Sequence, residues 1–225
     1  MEQGLLFIWV LVDLEMNKSF DYLNTITASI GMILSYVGFI ILVILINKHG
    51  SYWHLIWCGV YGITLMILHT SSTIYHGTTH PKIKSKLRYL DHSSIYLLIA
   101  GTYTPIVLIN LYGAWGWSLF GIIWGLFSIG IFLKVMDIRP FRNYENYLYL
   151  AMGWLSIIAI KPLYNNMDLI GFLLIIFGGL FFTIGIFFYI WDNKKYFHAV
   201  WHLFYTCGCI CHYFTIAFYT IPYKI

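Results

Sequence analysis

The protein has 225 residues, of which 60% are hydrophobic, 20% are aromatic and only 10% are charged, and its formal net charge is +4. A soluble domain is about half apolar and about one quarter charged, and a chain of 26.3 kDa has too much surface for its volume to bury this apolar content in water. The composition therefore excludes a cytosolic enzyme, a disordered protein and a secreted disulfide scaffold. It indicates a polytopic membrane protein with one domain.

The N-terminal segment differs from the rest of the chain. Its apolar run, Gly4 to Val12, is short and has acidic flanks, whereas a signal peptide has a basic start and a small-residue cleavage site. We therefore predict that residues 1–25 are an N-terminal interfacial segment, with a short helix that lies on the membrane surface. Residues 26–225 are predicted to form a single transmembrane domain.

Seven apolar stretches follow, each close to the roughly 20 residues that a helix needs to cross a bilayer. The predicted spans cover residues 26–47, 53–77, 88–109, 115–134, 146–161, 169–191 and 196–221. Strand-like alternation is absent, and short polar or basic stretches such as HPKIKSK and DIRPFRNYEN separate the spans. The sequence therefore predicts an all-α membrane protein with seven transmembrane helices.

The basic residues predict how these helices are oriented. If the N-terminus is cytoplasmic, ten of the 13 Lys and Arg residues fall in cytoplasmic segments and three fall outside. Because cytoplasmic loops carry such an excess, we expect the N-terminus inside and the C-terminus outside, which is the reverse of a G-protein-coupled receptor. The positive charge then reflects membrane orientation, and no nucleic-acid partner is expected.

Ionisable residues within the spans are costly in a membrane and are functional candidates for that reason. Span two carries His69, Ser72 and His76, of which the last two are four residues apart and share one helix face. Span three carries Asp91 and His92 in its first turns. In the predicted topology, the end of span two and the start of span three lie at the same cytoplasmic depth.

Span seven completes a candidate metal site at that depth. His198 and His202 are four residues apart near its start, and this spacing lets two imidazoles on one helix hold one metal ion. Three neutral imidazoles and one open position are the arrangement of a catalytic zinc. We therefore predict His76, His198 and His202 as ligands of zinc, with Asp91 as the group that orients or deprotonates a water molecule.

Other interpretations of these residues stay open. Hydrogen bonds between helices would account for the same polar side chains without a metal, and three histidines also suit iron, nickel or copper. His69 and His92 are predicted to line the site or to support its ligands. The remaining histidines at helix boundaries are expected to be solvated, and these are His49, His54 and His80.

The motifs resemble those of the hemolysin III family, within the wider progestin and adipoQ receptor (PAQR) group. The resemblance is carried by HTSSTIYH at 69–76, LDHSSIYLLIAGTYTP at 90–105 and HAVWH at 198–202. It implies that His76, His198 and His202 hold zinc, that Asp91 contacts the metal-bound water, and that Ser72 belongs to the site. It also implies a relationship to membrane hydrolases such as the alkaline ceramidases, a cytoplasmic N-terminus and a bacterial inner-membrane location.

Three functions follow from these observations. The first is a zinc-dependent hydrolase of lipid amides, such as ceramides, with Asp91 as general base and Ser72 placing water or an oxyanion, and with a role in membrane-lipid homeostasis. The second is a non-catalytic membrane sensor or receptor stabilised by zinc. The third is a pore-forming hemolysin, which the clustering of polar residues in one leaflet disfavours. Membrane lipids are the expected partners, and small-residue faces allow a homodimer without requiring one.

Overall fold

The computed structural model describes residues 2–136 and 139–223, and it describes side chains in 21–136 and 144–223. Within these ranges the regular structure is helical and contains no strand. The α-helices are α1 (Glu2–His49), α2 (Tyr52–Gly77), α3 (Pro81–Pro105), α4 (Ala114–Val135), α5 (Arg139–Gly153), α6 (Ile160–Asn166), α7 (Leu169–Ile190) and α8 (Phe197–Thr215). Turns of π-helix extend α3 (Ile106–Asn110) and α8 (Ile216–Thr220), and a 3₁₀ turn (Leu155–Ala159) joins α5 to α6.

Six helical segments in the described ranges are long and apolar enough to cross a membrane. They are Asp21–His49, Tyr52–Gly77, Pro81–Asn110, Ala114–Val135, Tyr144–Asn166 and Leu169–Ile190. They overlap the first six predicted spans. The seventh predicted span coincides with α8 and its π turn, whose three histidines lower its hydropathy, so the seven-span count and the orientation stay predictions.

Several helix boundaries differ from those expected. The backbone of α1 runs from Glu2 to His49 without a break, so the segment 1–25 continues directly into the first span, while its place at the membrane surface stays a prediction. The basic stretch before span three is helical, because α3 begins at Pro81, and proline is well suited to the first position of a helix. The fifth predicted span is interrupted by the 3₁₀ turn Leu155–Ala159.

Small residues let α1 approach its neighbours α2 and α8 closely. They recur every three or four residues on the buried face of α1, and they are Ala28, Gly31, Ser35 and Gly38. A Cβ atom on Gly31 would lie 2.2 Å from Nδ1 of His69 on α2. On the α8 side, the Tyr213 hydroxyl donates to the Gly38 carbonyl at 2.9 Å. This stripe therefore brings the backbone of α1 up to the helices that carry the candidate ligands.

The π turns at the ends of α3 and α8 are joined by a buried polar contact. The Asn110 amide donates to the Tyr219 carbonyl at 3.1 Å, and the Thr220 hydroxyl donates to Asn110 Oδ1 at 2.8 Å. Asn110 is 1% exposed and Thr220 is fully buried. Because buried polar groups are costly unless paired, this contact fixes both turns at the end of α8 that is farthest from His198.

His54 is buried at the start of α2, so the expectation that it is solvated is wrong. Its Nδ1 accepts from the Ser51 amide at 3.0 Å, and its Nε2 donates to the Tyr223 carbonyl at 3.0 Å. The imidazole thus caps α2 and holds the C-terminal segment against it. The sequence could not show this role, since Tyr223 is distant along the chain.

We expect Asn110→Ala to destabilise the protein by about 1–3 kcal/mol, because it leaves the Thr220 hydroxyl and the Tyr219 carbonyl buried without their partner. The melting temperature of the purified protein in detergent measures the effect. Ser128→Ala is the matched control, since the Ser128 hydroxyl is exposed and bonds only to the Trp124 carbonyl of its own helix. Equal melting temperatures for Asn110→Ala and the control would contradict the role of this contact.

Candidate metal centre

Three histidines from two helices converge at one point of the structure. His76 ends α2, and His198 and His202 lie on one face of the first turns of α8. One ring nitrogen from each lies within 4.8 Å of the others. The ring centroids are 4.8, 4.9 and 4.9 Å apart, so the imidazoles form a nearly equilateral triangle.

The separation of the nitrogens suits a metal ion. Nε2 of His76 and Nε2 of His198 are 3.2 Å apart. Zinc–nitrogen bonds are about 2.0–2.1 Å long, so two ligands of a tetrahedral zinc ion lie about 3.3 Å apart. The cluster of His76, His198 and His202 could therefore bind a metal ion.

Oxygen atoms face the other nitrogens of the two α8 histidines. Nδ1 of His202 is 2.9 Å from the Thr27 hydroxyl, and Nδ1 of His198 is 3.4 Å from Oδ2 of Asp192. Histidines that bind metals commonly donate their second N–H to an oxygen, which fixes the tautomer and the ring orientation. This arrangement leaves Nε2 of both rings for a metal ion.

His76 has a carboxylate beside it in the corresponding position. Oδ1 of Asp21 on α1 lies 3.8 Å from Nδ1 of His76, while Oδ2 accepts from the Lys84 ammonium at 2.6 Å. Nδ1 of His76 is buried and has no hydrogen-bond partner, so Asp21 is the acceptor that a small side-chain movement would supply. Asp21 and Thr27 carry no spacing signal in the sequence, and Asp21 lies in the segment that was predicted to be interfacial.

Asp91 and Ser72 lie in the same site as the histidines. Asp91 is buried near the middle of α3, and its carboxyl group lies beside the Ser72 side chain of α2. Both residues line one cavity together with His198 and His202. The structure thus brings the five predicted central residues to one place.

The two other predicted site histidines lie outside the triangle. Nδ1 of His69 is 3.3 Å from the Tyr205 hydroxyl, and the His92 ring lines the cavity with its Nδ1 3.3 Å from the Tyr189 hydroxyl. Neither joins the metal cluster, and their roles as lining or supporting groups stay predictions.

A long apolar cavity starts at the site and runs between α3, α5, α7 and α8. Its empty volume, including its open mouth, is about 960 Å³. Its apolar wall includes Leu68, Ile95, Ile99, Phe182, Ile186 and Trp201. It extends from His198 to His212, which are separated by about 21 Å at a rise of 1.5 Å per residue. His212 was not predicted to belong to the site, and it lies at the far end of the cavity.

Comparison with known proteins identifies the family. Residues 16–213 match the sequence model of the family described as Haemolysin-III related. The chain belongs to this family. Hemolysin-3 of Bacillus cereus is 44% identical over 199 residues, covering 88% of this chain and 91% of that protein. The Hemolysin-3 homolog of Bacillus subtilis (strain 168) is 40% identical over 198 residues, covering 88% and 93%.

The Haemolysin-III related family also has animal relatives. The Monocyte to macrophage differentiation factor of Homo sapiens is 29% identical over 172 residues, covering 73% of this chain and 70% of that protein. This similarity supports the wider PAQR group, and the resemblance inferred from the motifs is confirmed. Together with the apolar helices, membership of the family makes this chain an integral membrane protein.

We expect Asp21→Asn to weaken metal binding by about 10- to 100-fold, as is typical when the oxygen partner of a ligand histidine is altered. Competition with a chromophoric chelator measures the affinity. Lys84→Met separates the two roles of Asp21, since it breaks the ion pair and retains the carboxylate, and it should keep the affinity. Asp168→Asn is the matched control, because Asp168 caps α7 and asparagine caps helices equally well. Full affinity in Asp21→Asn would exclude a role in orienting His76.

Proposed function

We propose that this protein is a zinc-dependent hydrolase of lipid amides in the bacterial inner membrane. In this proposal α8 is the seventh span, the N-terminus is cytoplasmic, and the histidines lie at the cytoplasmic side. The observation that carries the proposal is that His198 and His202 of the three-histidine cluster line a cavity that also exposes Asp91 and Ser72. Ligands, a base and an apolar substrate space are thereby adjacent.

The composition of the cluster favours a catalytic metal over a structural one. Among the described residues the group contains three histidines and no fourth protein ligand, whereas structural zinc sites use four protein ligands. A bound zinc ion would polarise a carbonyl group and lower the pKa of a water molecule to about 7. This composition also argues against the non-catalytic sensor, for which a closed site would be expected.

In this proposal Asp91 and Ser72 take part in the proton transfers that amide hydrolysis needs. The Asp91 carboxylate accepts a proton from the attacking water and returns it to the amide nitrogen as the C–N bond breaks, so that the products are a fatty acid and an amine. The Ser72 hydroxyl lies beside this carboxyl group, and its oxygen can accept a hydrogen bond from the attacking water and so position it. His76, His198 and His202 would hold the metal ion, which would supply the Lewis acid.

The cavity supports the proposed substrate class. Its wall is apolar over most of its length, and its length of about 21 Å along α8 suits one extended acyl chain. Such a chain would enter sideways from the bilayer and leave the amide group next to Asp91. A ceramide-like lipid has this combination of a long acyl chain and an amide bond.

The name of the Bacillus relatives denotes a hemolysin, but the described residues do not favour a pore. A conducting path needs a continuous polar lining, whereas the middle of the cavity is lined by apolar residues such as Ile95, Ile186 and Phe182. We therefore attribute lysis, where it occurs, to an indirect effect of altered membrane lipids.

The metal content tests the first part of the proposal. We expect about one zinc ion per chain by mass spectrometry of the detergent-purified protein, and loss of this zinc in the double variant His198→Ala, His202→Ala. A protein prepared without chelators that contains no metal would overturn the proposal. In that case the histidines connect the helices by hydrogen bonds, as in the sensor hypothesis.

Replacement of the base tests the second part. We expect Asp91→Asn to retain zinc and to lose about 100-fold or more of its turnover of a fluorescent ceramide, since the amide cannot accept the proton. Asp168→Asn, far from the cavity, is the matched control and should retain both properties. Equal zinc content and equal turnover in Asp91→Asn would contradict the role of Asp91.

A further inference from the structure

Tyr205 is a buried side chain of the site, and the proposed function gives it no role. It lies on α8 three residues after His202, and the two ring centroids are 5.4 Å apart. Its side chain lines the cavity beside Ser72 and Asp91, and the residue is only 4% exposed. A hydroxyl group in this position needs hydrogen-bond partners, and these partners indicate its role.

One partner of Tyr205 is His69. The two rings are stacked with centroids 5.3 Å apart, and Nδ1 of His69 is 3.3 Å from the hydroxyl oxygen. Gly31 of α1 lies against the opposite side of His69, where any Cβ atom would collide with the imidazole. His69 is therefore held between α1 and Tyr205 in a single orientation.

Ser72 and Asp91 are the polar neighbours of Tyr205 in the cavity wall. The Ser72 side chain lies beside the Tyr205 hydroxyl and beside the Asp91 carboxyl group. Each of these groups has one proton to donate, apart from the ionised carboxylate, which only accepts. His69 Nδ1 and the Tyr205 hydroxyl are 3.3 Å apart, and hydrogen bonds that continue from there to the carboxylate would have to run from Tyr205 to Ser72 and from Ser72 to Asp91.

We propose that His69 and Tyr205 are positioning residues, which orient the Ser72 hydroxyl and through it aim the Asp91 carboxylate at the reacting group. The inference rests on the proposed function, since it assigns Asp91 the role of base. In this role neither residue contacts the reacting amide group. Without His69 and Tyr205, the Ser72 hydroxyl is free to rotate, and the Asp91 carboxylate loses its fixed direction. A displacement of about 1 Å in a catalytic group is enough to cost about 100-fold in rate.

The first test compares turnover, KM and zinc content of three variants. We expect Tyr205→Phe and His69→Leu to lower kcat by about 10- to 100-fold, with KM and zinc content unchanged. His69→Gln retains an N–H donor and should restore part of the rate. A merely structural role would lower zinc content and kcat together in all three variants, and this result would overturn the proposal.

The second test moves His69 without removing a polar group. Gly31→Ala should lower kcat, because its methyl group displaces the imidazole, whereas Gly59→Ala on α2 adds a methyl group in open space and should have no effect. In a His69→Ala background, Gly31→Ala should cause no further loss, because residues that act through one contact are not additive. Full additivity in this pair would overturn the proposal.

Failure of the inference can be distinguished from failure of the proposed function. An active wild type whose Tyr205→Phe variant keeps its full kcat leaves the hydrolase in place and overturns the positioning role. A zinc-loaded wild type that cleaves no lipid amide overturns the hydrolase and the assignment of Asp91 as base. The contacts of Tyr205 with Ser72 are then tested by melting temperatures. Shifts for Tyr205→Phe and Ser72→Ala that are not additive support these contacts, and additive shifts overturn them.

Discussion

The pairing of imidazole nitrogens within an apolar helical bundle is the constraint on which the rest of the structure depends. An unpaired polar group in a bilayer costs several kcal/mol, and this chain packs three histidines against each other, of which His76 and His202 are buried and His198 is partly buried. Their Nε2 atoms face inward, with those of His76 and His198 3.2 Å apart. A shared metal ion satisfies such a cluster better than hydrogen bonds do, because three acceptor nitrogens cannot all donate to one another.

The helix α1 carries none of the candidate ligands, but its residues face two of them, His76 and His202. From α1, Asp21 lies beside His76, Thr27 bonds to Nδ1 of His202, and Gly31 makes room for His69. Thr27 and Gly31 are four residues apart and share one helix face, whereas Asp21 lies about 120° around the helix from Thr27. The first helix therefore acts as the support of the site, and its small residues are what allow it to lie close enough.

Much of the site could be predicted from the sequence. The helix face of a residue and its distance from the end of a span both follow from its position within one short stretch of sequence. The pairs Ser72 and His76, and His198 and His202, share faces by their spacing alone, and an apolar setting marks Asp91 as unusual. The supporting contacts could not be predicted, since they join residues that are distant in sequence. Thr27 meets His202 across 175 positions, and one hydroxyl-bearing residue in an apolar helix has no distinguishing pattern.

The two ends of the bundle use buried polar groups in opposite ways. At one end Asn110 and Thr220 satisfy each other and the Tyr219 carbonyl completely, so their polarity contributes only rigidity. At the other end the Asp91 carboxyl lines an open cavity, and one buried nitrogen of His76 has no hydrogen-bond partner. Groups whose hydrogen bonds are all made within the protein cannot also bind a ligand, whereas unpaired groups that face a cavity can. The incomplete pairing around the histidines is therefore the physical reason to locate the chemistry there, and the closed pairing at the far end provides a rigid frame for it.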